Sequence, residues 1–287
     1  MKREGVVYGM PEDEYHGGGG SELSSTGAKL LLESPAKFKY QVIDGHRVYR
    51  AGFDLGTAVH TKVLGVGARF ISYPKEHLTP SGNVSTKAAT VEWAAAQRAE
   101  GKIILTPDEA ERAEAMAESV LREPESRRLF EREGSPEVSI FDEFLGVRRR
   151  GRFDYLPVEG GFAVDLKTAA DASPFGFRRA VETYGYHIQY GHYTDIYRRL
   201  TGEQRDMIFV VVEKEPPYLV NVIRFDEHED FARFGETEAL EAVDRYRRCM
   251  DTGIWPGYLE HGITKIKPSM HLTYDFQEKY ESGEITL

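Results

Sequence analysis

Cysteine is almost absent from this chain of 287 residues. Its single copy, Cys249, excludes an internal disulfide and any cluster held by several cysteines of one chain. Long apolar runs are missing as well: none approaches the roughly 20 residues that a bilayer span requires. Met1-Lys2-Arg3-Glu4-Gly5 lacks the apolar stretch of a secretory signal, so a soluble, cytoplasmic protein is expected. No G-x-x-x-x-G-K-[ST] sequence occurs, which argues against ATP hydrolysis by the chain itself. Positive charge is in deficit too, with 37 Lys and Arg against 47 Asp and Glu for a net charge of −10. Taken alone, that balance argues against a passive nucleic-acid coat. It still allows a local basic groove, because salt confines surface fields to about 10 Å.

What is present is an ordinary globular mixture, 40% hydrophobic and 29% charged, able to bury a real core. Residues 1–23, which include Gly17-Gly18-Gly19-Gly20, read as a flexible arm. One α/β domain is expected over 24–258, with a helical N-terminal portion, followed by an irregular tail over 259–287. Ser24-Ser25-Thr26 opens a helix, a second runs from Phe53 to Leu64, and Gly65 ends it. Leu78–Lys87 reads as a loop. Helices follow over Ala88–Glu100 and Pro107–Arg122, the latter capped by Thr106. Pro174–Leu200 reads as a helix broken near Gly185. Met207–Val212 and Leu219–Phe225 read as a hairpin, with a long helix over Asp230–Met250. Basic residues cluster at Arg148-Arg149-Arg150 with Arg152, at Arg178-Arg179, at Arg198-Arg199 and around Arg245. Taken singly, each cluster is explained by charge pairs on solvated faces.

Glu137–Thr168 reads as three strands joined by tight turns at Leu145-Gly146 and Glu159-Gly160-Gly161. If Leu145 and Gly146 form a two-residue turn, Phe144 faces Val147 and Glu137 falls opposite Asp154. A second turn at Glu159-Gly160 sets Asp154 opposite Asp165; one at Gly160-Gly161 sets it opposite Lys167. In both registers Asp154, Asp165 and Lys167 share a face, because side chains alternate with period two. Crowded carboxylates repel unless a cation sits among them. Mg²⁺ suits such a set, binding a few carboxylate oxygens and leaving positions for water and phosphate; Mn²⁺ suits it equally. The pattern therefore points to metal-assisted phosphodiester hydrolysis, with Lys167 orienting or deprotonating the attacking water. By itself Asp-x-Lys equally describes a solvated strand face.

Gly151-Arg152-Phe153-Asp154 followed by Val164-Asp165-Leu166-Lys167-Thr168 resembles the PD-(D/E)xK nuclease superfamily. Gly56-Thr57-Ala58-Val59-His60 and Gln189-Tyr190-Gly191-His192-Tyr193 resemble the helical histidine and Q-x-x-x-Y motifs of its RecB-like branch. Ser24-Ser25-Thr26-Gly27, Ser34-Pro35-Ala36-Lys37-Phe38 and Val212-Glu213-Lys214-Glu215-Pro216-Pro217-Tyr218 are similar to RecE-type exonucleases of phages and prophages. The resemblance implies a restriction-endonuclease-like core, a central mixed sheet flanked by helices. It implies metal ligation by His60, Asp154, Asp165 and the Leu166 carbonyl, catalysis by Asp154, Asp165 and Lys167, and DNA contacts from Gln189 and Tyr193. Arg152, Arg178 and Arg179 are expected to join those contacts, and Glu137 to stand behind the acids. With one cysteine, the iron–sulfur cluster of some relatives is excluded. The activity implied is resection of linear double-stranded DNA, 5′ to 3′, leaving 3′ single strands for a strand-annealing partner, by a ring-like homo-oligomer. The alternatives are a structure-selective or single-strand endonuclease using the same metal site, or a catalytically silent DNA-binding module of the same fold.

Overall fold

The computed structural model describes residues 3–17, 22–46, 52–67, 69–226, 230–258 and 263–286. The chain divides into two units after Trp255. The first unit opens with strand β1 (Gly5–Val7) and a short helix α1 (Glu12–His16). Helices α2 (Ser25–Glu33) and α3 (Pro35–Phe38) part at Ser34. The Ser34 hydroxyl accepts from the Lys37 amide, and its own N–H closes α2 on the Leu30 carbonyl. Helix α4 (Gly52–Leu64) follows, then β2 (Phe70–Ser72), α5 (Ala88–Ala99) and β3 (Ile103–Leu105), with β2 and β3 paired in parallel. Thr106 and Glu109 form a reciprocal capping box that starts α6 (Pro107–Arg122) as expected, and α7 (Pro124–Phe130) follows.

The central sheet uses β4 (Gly134–Phe144), β5 (Val147–Pro157), β6 (Phe162–Ala169), β7 (Asp206–Glu213) and β8 (Val220–Arg224). Between β6 and β7 lie α8 (Pro174–Tyr184) and α9 (Tyr186–Thr201), separated at Gly185, whose φ of +63° suits glycine. Helix α10 (Asp230–Thr252) closes the unit. Strand order is β1-β4-β5-β6-β7-β8, antiparallel throughout except for parallel β6–β7, whose crossover is the α8–α9 pair. This is the mixed sheet flanked by helices that the sequence implied.

Alternation along β7 shows how the layers form. Met207, Phe209 and Val211 enter a core with Phe177, Val181, Tyr190 and Ile196 of α8 and α9. Val210 and Val212 enter the opposite core with Ala58 and Val59 of α4 and Met116 and Val120 of α6. Each such buried side chain contributes about 1.5–3 kcal/mol. Helix α10 packs on α9 where Gly235 meets Gly191, backbone against backbone, in a space no Cβ could enter.

Two segment expectations are corrected. Residues 1–23 are not simply a flexible arm: β1 pairs with β4, Met10 and Tyr15 bury against Phe141, and Leu23 bridges to Arg149. The reason is the open edge of β4, which offers unpaired backbone groups and an apolar seat. Of the glycine run, Gly17 caps α1 and Gly18–Gly20 lie outside the described residues. Residues 259–287 are not simply irregular. The second unit carries α11 (Met270–Glu281), started by Ser269, whose hydroxyl accepts from the Leu272 amide. No helix among the described residues is long and apolar enough to cross a membrane.

Candidate active site

The β4–β5 hairpin turns at Leu145 and Gly146, with φ of 52° and 77°, the two left-handed positions of a type I′ turn. Phe144 accordingly faces Val147, and the register continues unchanged to Gly134–Pro157. Extending it through the site sets Glu137 level with Asp154. Next, Tyr155 pairs with Val164, which sets Asp154 level with Asp165. This is the first of the two registers considered, although residues 158–161 make a longer connection than a two-residue turn. Glu137 has a φ of 51°, and β5 changes face at this level. Phe153 packs toward α9, whereas Tyr155 packs against the core of α4 and α6. Asp154 therefore stands at the inversion rather than on a regular face, while Asp165 and Lys167 keep the shared face toward α9.

The polar cluster follows from this arrangement. Asp154 Oδ2 accepts from the Leu166 amide at 2.7 Å and lies 3.1 Å from His60 Nε2. His60 arrives from α4, and its Nδ1 lies 2.8 Å from the Gly56 carbonyl four residues back. A donated Nδ1–H leaves Nε2 as the nitrogen directed at the acids. Asp165, 1% exposed, takes a 2.6 Å hydrogen bond at Oδ1 from the Gln189 amide nitrogen. Its Oδ2 is enclosed and receives no hydrogen bond of good geometry; its contact is a 2.5 Å ion pair with Lys167 Nζ. Gln189 Oε1 accepts from Lys167 Nζ at 3.1 Å, so one amide holds both ends of the Asp–Lys pair. Lys167 also lies over the Tyr186 ring, 4.8 Å from its centroid.

Burial alone would lower the basicity of His60, but the charge and hydrogen bond of Asp154, with the Gly56 carbonyl, hold its pKa up at about 9. Burial would raise Asp154; His60, Lys167 and the Leu166 N–H outweigh it and keep the carboxyl below its ordinary value. Asp165 moves the other way, raised by burial and by the Asp154 charge against the pull of Lys167. Burial opposes the Lys167 charge, yet the two aspartates hold its pKa up. Glu137 is raised to about 7 by burial and by Asp154, with Arg152 opposing. One carboxylate of the facing pair is thus held below its ordinary value, and the other, although paired with Lys167, is held above it.

The two carboxylates supply oxygens of the kind a hard divalent cation takes, with the His60 imidazole beside them. The enclosed Asp165 Oδ2, short of hydrogen-bond donors, fits that reading. Among the described residues no three His, Cys, Asp or Glu side chains already close on one point. The Lys167 ammonium instead stands on Asp165, and His60 leans on Asp154.

The other expected residues have other positions. Gln189 is buried behind the acids rather than exposed for DNA, and Tyr193 is 8% exposed with its ring edge-on to Phe153, 5.5 Å between centroids. Tyr193 also fills the space that a side chain at Gly151 would need. Arg152 is partly buried, donating to Ser139 Oγ and the Met10 carbonyl, 3.4 Å from Glu137, with its guanidinium over Tyr15. These three therefore shape and support the site rather than present a surface, because the α9 face and the β1–α1 segment cover them. Arg178 and Arg179 stand exposed on α8 against Phe175, and no contact joins them to the acids among the described residues. Arg149 is fully buried between Asp142 and Asp195. Arg198 and Arg199 also pair with Asp195, and Arg245 with Glu241. Sequence reasoning missed Tyr186 and Lys29, which reach the cluster from separate helices without any local motif.

The family model of a PDDEXK-like domain of unknown function, DUF3799, matches residues 24–264. No curated protein matches. A crystal structure of a protein from Eubacterium rectale, provisionally named an exonuclease, superimposes with a TM-score of 0.62 at 15% identity, covering 93% of this chain and 98% of that one. At that identity the likeness concerns the fold. The solved structure of SSO0001 is 16% identical over 74% of this chain and 99% of that one, but its TM-score of 0.31 carries no weight. With a mixed six-stranded sheet, an inversion that delivers Asp154 to Asp165 and a match over most of its length, the chain belongs to the PDDEXK-like family DUF3799.

Proposed function

We propose that this protein is a divalent-metal-dependent deoxyribonuclease that resects linear double-stranded DNA from its ends. The observation that carries the reading is the pair His60–Asp154 beside the group Asp165–Lys167–Gln189, drawn from α4, β5, β6 and α9 to neighbouring positions of the sheet. His60, Asp154, Asp165 and the Leu166 carbonyl would hold Mg²⁺ or Mn²⁺. Such an ion supplies a polarised phosphodiester and an activated water. Lys167 then places a positive charge beside the reacting phosphate, and Gln189 fixes the angle of both Lys167 and Asp165. The RecE-like motifs favour 5′ to 3′ resection, in the cytoplasm, as a ring-like homo-oligomer working with a strand-annealing partner.

The test is digestion of linear duplex labelled separately at its 5′ and 3′ ends, with Mg²⁺, with Mn²⁺ and with chelator. Early release of the 5′ label only when metal is present is expected. Cleavage that survives chelation would overturn the metal role, and nicking of a covalently closed circle would favour the endonuclease alternative. No hydrolysis under any condition would leave the fold as a binding module.

A further inference from the structure

Lys29 lies on α2, far from the acid-x-Lys strand in sequence, yet its ammonium shares a ring with the catalytic lysine. Its Nζ is 5.4 Å from the Tyr186 centroid, and Lys167 Nζ is 4.8 Å from the same centroid. The stem of Lys29 runs along Gly185, where its Cγ and Cδ would lie 3.2 Å from an added Cβ. This fixes the direction of the side chain through packing. Among the described residues no carboxylate pairs with Lys29. The carboxylate that acts on it is Asp165, already held by Lys167 and Gln189. Burial and the like charge of Lys167 push its pKa down to about 7. A half-buried cation beside a second cation, without a counter-ion, is unfavourable until an anion arrives. Among the anions a duplex end offers, only backbone phosphates recur at a spacing that two neighbouring ammoniums can share.

Resting on the nuclease reading above, we propose that Lys29 is a substrate-positioning residue whose ammonium binds a backbone phosphate adjoining the one attacked at Asp165 and Lys167. Helix α2 then holds the strand, and Tyr186 keeps the two ammoniums apart and aimed at successive phosphates. A phosphate contact of this kind orients the strand without reading its sequence.

The experiment compares wild type, Lys29→Met and Lys29→Arg, full length, by anisotropy of a labelled blunt duplex in chelator over a sodium chloride series. Metal-started digestion and thermal melting are run in parallel. Lys29→Met should bind several-fold more weakly, with its log affinity against log salt shallower by about one phosphate contact. Its KM should rise more than its kcat falls, Lys29→Arg should restore the slope, and Lys29→Met should melt no lower than wild type. An unchanged salt slope in Lys29→Met, with wild type still cleaving, overturns the positioning role alone. A lower melting temperature with an unchanged slope makes Lys29 a packing residue. Wild type that neither binds nor cleaves DNA overturns the nuclease reading and this inference with it.

Discussion

The pair Asp165 and Lys167 has ordinary composition and an unusual setting. Asp165 is nearly inaccessible, and its carboxyl is raised by burial and Asp154 while its lysine neighbour pulls the other way. Replacing Lys167 with Met removes the charge that would face the reacting phosphate, and should lower cleavage by about 10²–10³-fold with the fold intact by circular dichroism. Full activity in the purified variant would rule this residue out. Gln189→Leu should lower activity less, since it loosens the pair without removing a charge. His192 offers a separate test. It is fully buried beside Arg149, which with burial depresses its pKa to about 3. A histidine so depressed binds fewer protons folded than unfolded, so stability is lost as pH falls below about 6.5 toward 3, by about 1.4 kcal/mol per unit. Urea titrations at pH 7 and pH 5 should show a larger loss in wild type than in His192→Gln; equal losses would contradict the assignment.

Among the elements, the α9–α10 crossing has the least room. Gly191 and Gly235 bring the two backbones together, and an alanine at either position overlaps main chain that cannot turn aside. Gly191→Ala should therefore destabilise the protein by about 3 kcal/mol, toward the upper end of overpacking costs, visible as a fall in the urea midpoint. The hairpin elements were legible because their chemistry is local. Leu145-Gly146 needs two left-handed residues, and that turn set the register that brings Glu137 level with Asp154. Gly185 likewise announced the break between α8 and α9. The face inversion at Glu137 was not legible, since a positive φ at glutamate depends on tertiary packing and not on residue type. Nor was the internal pairing of Arg152, whose partners Met10, Tyr15 and Ser139 come from distant segments. Gln189 and Tyr193 stand four residues apart on α9, and which way that face turned followed from the sheet.

At the scale of the whole molecule, three-residue β1 covers the edge of β4 and buries Tyr15 and Met10 on Phe141. A chain lacking residues 1–17 should melt lower and associate at high concentration through the uncovered edge, as light scattering would detect. Unchanged melting and mass would show that the segment is dispensable. The net charge of −10 coexists with many arginines that, among the described residues, are paired with carboxylates of the chain, Arg149 deep inside with Asp142 and Asp195. With many of its cations already shared with carboxylates, its binding to DNA should weaken with salt less steeply than for proteins whose basic face is broad.

The ammonium of Lys167 resting on Asp165 also has a thermodynamic meaning. The site carries its own counter-ion, so a metal taken up there, as proposed, would have to exchange with it, evicting one cation to install another. The protein is thereby spared naked, repelling acids, and the proposed metal affinity would be tempered by the work of eviction. Lys167→Met should accordingly bind Mn²⁺ more tightly than wild type even as it stops cutting, a separation of affinity from turnover that metal titration can read directly.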